Sequence, residues 1–153
     1  IEHLQNPDLF IANCHEILNA RGIMISSTPN ANVTSPDGIV HWEFHEKEYS
    51  AKEYVELLAK HGFVNIKLYG QQYTKTGKLR LEMAAYFNAI NSNPFVRLGR
   101  WFQKYVRGRD VKYIVKEEHG DFEIIQYNDA GEIDRLKEKG PFVIIAIGQK
   151  ADS

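Results

Sequence analysis

Apolar residues along this chain fall into alternating helical and strand-like patterns. Leu9, Phe10, Ile11, Cys14, Ile17 and Leu18 recur at three- and four-residue spacing, which predicts an amphipathic helix. Asn6-Pro7-Asp8 opens it with a capping side chain, a proline where the missing N–H costs nothing and an acid at the positive end of the dipole. Gly22 closes it. Ile23, Met24 and Ile25 then form an uninterrupted apolar run, the pattern of a strand buried on both faces, which turns polar over Ser26 to Asn30. In an open parallel sheet the carboxyl ends of the strands carry the ligand site, which makes Thr28 to Asn30 a candidate functional rim.

Ala31 to Val40 reads as a loop, followed by the polar and aromatic cluster His41 to Tyr49. Ser50-Ala51-Lys52-Glu53 is a capping box, so a second helix carries Tyr54, Val55, Leu57, Leu58 and His61 until Gly62 ends it. Phe63 to Tyr69 alternates like a strand with one solvated face, and Gly70-Gln71-Gln72 ends it. From Leu79 to about Val106 the period is helical, with a break near Asn91 to Pro94 that predicts two helices. Phe122 to Ile125 is short and strand-like, Ala130 to Lys139 reads as a short charged helix, and the continuous run Phe142 to Ile147 belongs inside a sheet. The order helix, strand, helix, strand, helical insertion, strand predicts an α/β layered fold.

Composition narrows this further. The 153 residues, 43% hydrophobic and 25% charged, suit one domain spanning 1–153. With 19 basic against 20 acidic residues the net charge is -1, which argues against nucleic acid as a partner. Cys14 is the single cysteine, so no intrachain disulfide forms, and the chain reads as cytoplasmic. No run has the roughly 20 apolar residues of a membrane span, and the N-terminus lacks a secretory pattern. The chain opens in mid-pattern at Ile1 without a methionine, which suggests that a natural N-terminal part precedes it.

Several ordered pieces carry a resemblance. Ile1-Glu2-His3-Leu4, the helix ending Leu18-Asn19-Ala20-Arg21-Gly22, the strand running into Ser27-Thr28-Pro29-Asn30, then His45-Glu46-Lys47-Glu48-Tyr49-Ser50 and Gly62-Phe63 together resemble the C-terminal half of a class I S-adenosylmethionine-dependent methyltransferase. The resemblance covers residues 1 to 71, and Phe142 to Lys150 is similar to that family's last strand. It implies the C-terminal part of a Rossmann-like methyltransferase sheet with a helical insertion before the last strand. It also implies S-adenosylmethionine as cofactor, although the glycine-rich loop and the acidic strand end that would bind it are missing from these residues. The chain then supplies the acceptor side of the site and is an incomplete methyltransferase domain that by itself binds the cofactor poorly.

By this resemblance Glu2 and His3 lie between cofactor and acceptor, where a histidine can act as general base on a hydroxyl. Asn30, His41, Phe44 and His45 are the acceptor-side candidates, with wall or lid packing the expected part for His41 and Phe44. The implied reaction moves a methyl group to a small-molecule acceptor such as a lipid-linked quinone precursor or a sugar. A second reading takes Glu2, His3, His45 and His41 as metal ligands, as in the small-RNA terminal methyltransferases that this pattern also resembles. A third is a docking module without catalysis. Phe95 to Arg109 interleaves aromatic residues with Arg97, Arg100, Lys104, Arg107 and Arg109, which suits either a lid helix or peripheral contact with an anionic membrane. Removing half of a wound sheet would leave an apolar edge at Ile23 to Ile25, so the isolated chain is expected to form a homo-oligomer.

Overall fold

The computed structural model describes residues 1–94 and 120–152. Helix α1 spans Pro7–Ile17, with the Asn6 side chain accepting from the Leu9 amide at 2.9 Å. Strand β1 (Ile23–Pro29) follows, and α2 (Ala31–Thr34) adds one turn of helix inside the stretch expected to be a loop. Asn30 caps that turn through its own side chain, a local signal that any Asn offers and that the apolar pattern does not display.

The capping box forms as expected. Ser50 caps α3 (Ala51–Lys60), its hydroxyl accepting from the Glu53 amide while Glu53 accepts from the Ser50 amide at 3.0 Å. Asp134 adds a cap from a distant part of the chain, accepting from the Ala51 and Lys52 amides at 3.0 and 3.1 Å. Gly62, at φ +85°, turns the chain out of α3. Strand β2 (Phe63–Tyr73) runs beyond the predicted glycine stop, with a register shift between Val64 and Lys67. Helix α4 (Lys75–Ser92) ends at the predicted break, strand β3 is Phe122–Tyr127, helix α5 is Ala130–Leu136, and strand β4 is Val143–Lys150. The basic stretch Phe95 to Arg109, with its membrane-contact and lid readings, lies outside the described residues.

The four strands form one sheet in the order β1-β4-β2-β3. Strand β4 runs antiparallel to both neighbours, pairing Ile25 with Ile147 on one side and Leu68 with Ala146 on the other. The layered α/β arrangement is the expected one; within it β1 and β2 point the same way, and the last strand is inserted between them in the opposite sense. Apolar content does not encode strand direction, which depends on where the preceding connection delivers the chain.

Two compact units emerge, one of residues 1–72 with 124–153 and one of 73–123. In the first, Ile11 of α1, Ala51, Tyr54 and Leu58 of α3 and Ile133 of α5 share a core cluster with Phe63, Leu68, Ile144 and Ala146 of the sheet. Asp8 ties α1 to α3 through Lys60 at 2.6 Å and His61 at 2.8 Å. In the second, the Thr74 hydroxyl accepts from the Gly77 amide at the start of α4, and the Thr74 amide donates to the Asp121 carbonyl at 2.8 Å.

Strand β1 departs from its predicted burial. Thr28 is buried, but Ile23 and Ile25 are 60% and 68% exposed. They alternate with Met24 and Ser26 on the opposite face of the strand, and no described element covers them. The continuous apolar run is real, yet only one of its faces is occupied. No described helix is long and apolar enough to cross a membrane.

Candidate functional site

The loop from Trp42 to Tyr49 is anchored at both ends by backbone bonds. At one end the Glu46 amide donates to the Glu2 carbonyl at 2.7 Å. At the other, Tyr49 forms a parallel bridge with Asn30, and the Ala31 amide donates to the Tyr49 carbonyl at 3.0 Å. Asn30 immediately follows β1, so the loop lies beyond the carboxyl end of that strand and brings residue 45 to residues 2 and 3, 42 positions away for His3.

Glu2, His3 and His45 converge there, each offering a ligating atom within 4.8 Å of the others. The imidazoles meet edge to face with ring centroids 4.8 Å apart. His3 Nδ1 lies 2.8 Å from the Phe44 carbonyl oxygen, which can only accept. Nδ1 therefore carries a proton, and Nε2 lies 3.5 Å from Glu2 Oε1.

His45 is set in the same way. Its Nδ1 lies 2.6 Å from Glu48 Oε1, and the Glu48 side chain is only 1% exposed. The other Glu48 oxygen accepts from the Ser35 hydroxyl at 2.6 Å and from the Thr34 hydroxyl. Burial pushes the Glu48 carboxyl up, but the hydroxyls of Ser35 and Thr34 and then His45 outweigh it and hold the group below the usual glutamate range. An ionised Glu48 accepts a hydrogen bond from His45 Nδ1–H, which fixes the orientation of the ring.

The remaining candidates are placed differently. Asn30 is fully buried, donating through Nδ2 to the Pro141 carbonyl at 2.8 Å and accepting from the Asn32 amide at 3.2 Å, so both ends of its amide are engaged in the scaffold. Thr28, on the predicted rim, is also buried, and its hydroxyl has no hydrogen-bond partner among the described residues. His41 is exposed and pairs through Nε2 with Asp37 at 3.0 Å, outside the Glu2, His3 and His45 group. Phe44 is 77% exposed and reaches His3 by its carbonyl rather than its ring. Glu48, Ser35 and Thr34 were not singled out by the sequence pattern. The signal available for Glu48 was its position three residues after His45, which is common among loop acids and histidines.

Among the described residues, open clefts lie elsewhere, one bordered by Arg21, Asn65 and Asp152 and another by Asn32, Lys52 and Asp134. Neither is lined by Glu2, His3 or His45.

The chain is 36% identical over 72 residues to a probable S-adenosylmethionine-dependent methyltransferase of Mycobacterium tuberculosis, a match covering 46% of this chain and 26% of the relative. A counterpart from Mycolicibacterium smegmatis is 38% identical over 64 residues, covering 41% of this chain and 25% of its own length. The matches thus span about a quarter of the curated relatives. A solved structure from Thermotoga maritima, described as an S-adenosylmethionine-dependent methyltransferase and possible histamine N-methyltransferase, superposes with a TM-score of 0.52 at 11% identity. That superposition covers 96% of this chain and 50% of the other. No family model matches the sequence. The chain resembles the methyltransferases in sequence and shares the fold of one, a Rossmann-like α/β fold.

Proposed function

We propose that this chain is the acceptor-side, C-terminal part of an S-adenosylmethionine-dependent methyltransferase that methylates a hydroxyl of a small molecule, with His3 and Glu2 at the reacting end. The observation that carries the reading is the convergence of Glu2, His3 and His45 beyond the carboxyl end of β1, with the Nδ1 atoms of both histidines engaged by the Phe44 carbonyl and Glu48. The partial likeness to methyltransferases of named cofactor supports it from outside the geometry. Within the described residues no strand leads through a glycine-rich turn into a helix, so these residues do not fit the cofactor's ribose and methionine groups. Their part is the acceptor.

Methyl transfer by direct displacement depends on alignment and on exclusion of water. An acceptor oxygen must lose its proton as the new carbon–oxygen bond forms; in this reading a neutral His3 takes it at Nε2 and Glu2, 3.5 Å away, steadies the imidazolium that results. Small-molecule hydroxyls fit better than a nucleic acid because a net charge of -1 supplies no global field that would draw in a polyanion. A lipid-linked or sugar acceptor remains within the same chemistry.

A protein in which a cofactor-binding half is joined to this chain, given isotopically labelled methyl donor and panels of phenolic and glycosidic acceptors, tests this. Label is expected in a hydroxyl-bearing small molecule, and His3→Ala is expected to lower kcat by ~100-fold or more, the usual worth of a general base. Transfer that is indifferent to His3→Ala would remove the assigned role, and label appearing only in RNA or protein would remove the acceptor class.

A further inference from the structure

We infer that Trp42 is an acceptor-binding residue: its indole, held beside His45, is the platform on which an uncharged ring of the acceptor stacks. The inference rests on the proposed function, since it gives the acceptor its shape, but stacking can be measured without any methyl transfer. The Trp42 and Phe44 side chains are 64% and 77% exposed. Single exposed apolar residues are ordinary on a protein surface. These differ because the backbone is fixed at the very positions whose side chains are left in solvent. The His45 amide donates to the Trp42 carbonyl at 3.1 Å, the Phe44 carbonyl accepts from His3 Nδ1 at 2.8 Å, and the Glu46 amide donates to the Glu2 carbonyl at 2.7 Å.

One turn therefore presents His45 and Trp42 together. Their ring centroids lie 6.1 Å apart with the planes 33° from parallel, whereas His45 meets His3 edge to face at 4.8 Å. Two ring contacts separate His3 from the indole, a span that a small molecule of one or two rings covers. Most of the indole remains open to such a molecule. A flat apolar face laid on it gains dispersion and removes apolar surface from water on both sides. Aromatic rings have such a face, and so does the carbon–hydrogen side of a sugar ring. An open-chain alcohol has none.

Local charge narrows the ring further. Glu43 and Glu46 are exposed on the same loop, and Glu2 stands beside His3. The loop's lysine is engaged elsewhere: Lys47 Nζ lies 4.7 Å from the centre of the Tyr49 ring and 3.4 Å from Glu53. An anionic ring would meet like charge at this rim, whereas a neutral ring incurs no such repulsion. Stacking on Trp42 thus selects for ring shape and against negative charge.

NMR titration of the isotopically labelled protein with phenol and with methyl glucoside, butanol serving as the open-chain control, reads the platform directly. The Trp42 indole N–H and the His45 amide are expected to shift saturably with a ring compound and not with butanol. Which ring binds more tightly distinguishes a phenolic from a glycosidic acceptor, and para-hydroxybenzoate should bind more weakly than phenol. Trp42→Ala is expected to weaken binding about 10-fold, and Trp42→Tyr to restore most of it. Because Trp42 is largely exposed, neither change disturbs the core. In the joined protein, Trp42→Ala should raise KM about 10-fold with kcat nearly unchanged. Equal binding of butanol, or ring binding indifferent to Trp42→Ala, would overturn the platform. So would loss of the indole signal on raising the protein concentration alone, which would put a second copy there. If rings bind through Trp42 but no label is transferred, the platform stands and the methyltransferase reading falls; transfer that depends on His3 but is untouched by Trp42→Ala removes the platform alone.

Discussion

Tyr54 shows how one residue couples packing to acid–base behaviour. Its ring is wholly buried in the core, and its hydroxyl donates to Ser26 of β1 at 2.6 Å. Burial penalises the phenolate and pushes the pKa up to about 12, although the Ser26 bond works in the opposite direction. The unfolded chain would ionise Tyr54 near the ordinary value of ~10. Between those two values the unfolded state holds fewer protons than the folded one, so stability falls as pH rises. The contribution is fully present below pH ~10 and is lost through about 12, amounting to roughly 2–3 kcal/mol. Denaturant melts of the wild type and of Tyr54→Phe across this range should differ in slope, the variant being flatter and about 1 kcal/mol less stable near neutrality for want of the hydroxyl bond. Parallel slopes would mean that Tyr54 ionises without cost, which its burial forbids.

At the level of elements, α3 is held at its start by two independent devices. Ser50 and Glu53 cap it locally, whereas Asp134, from α5, receives the Ala51 and Lys52 amides. The same Asp134 also accepts from Asn32 Nδ2 at 2.9 Å, so one carboxylate links α2, α3 and α5. Ser50→Ala is expected to cost about 1 kcal/mol, the usual value of a lost cap. Asp134→Ala should cost more, about 2–3 kcal/mol, because it releases three donors and separates elements that are distant in sequence. Since the two sites act on the same turn, a double-mutant cycle by thermal or urea unfolding should give a coupling energy clearly different from zero. Strict additivity would show that the Asp134 contacts do not support the helix start.

For the whole molecule, the decisive feature is that β1 closes one side of the sheet. It pairs with β4 alone in the strand order, and Ile23 and Ile25 are exposed on the face away from the core. An edge strand with free backbone groups and apolar side chains favours pairing with another copy. We expect this chain, purified on its own, to associate with rising concentration, most simply about a twofold axis along β1. Ile25→Lys should shift sedimentation or light scattering toward monomer, as a charge on an edge strand opposes such pairing. A wild type that remains monomeric at high concentration would show that another part of the chain protects the edge.

The sequence by itself determined the elements whose causes are local. The Asn6 and Ser50 caps, the Gly62 stop and the apolar β4 run each act within a few residues, and each appears at its expected place. The methyltransferase resemblance, rather than any local pattern, put Glu2, His3 and His45 among the candidates. Tertiary structure decided the rest. The antiparallel insertion of β4 between β1 and β2 and the one-sided burial of β1 depend on partners remote in sequence, to which hydrophobic period is blind. The cluster itself had to be assembled: backbone bonds from Glu46 to Glu2 and across the Asn30–Tyr49 bridge carry His45 to His3, while Glu48, unremarkable in sequence, becomes the buried brace that sets the His45 ring. His41, only four residues away, is turned instead to Asp37. Hydrogen bonds are short and directional, so which of two nearby histidines faces the site follows from the position of its acceptor in space rather than from its place along the chain.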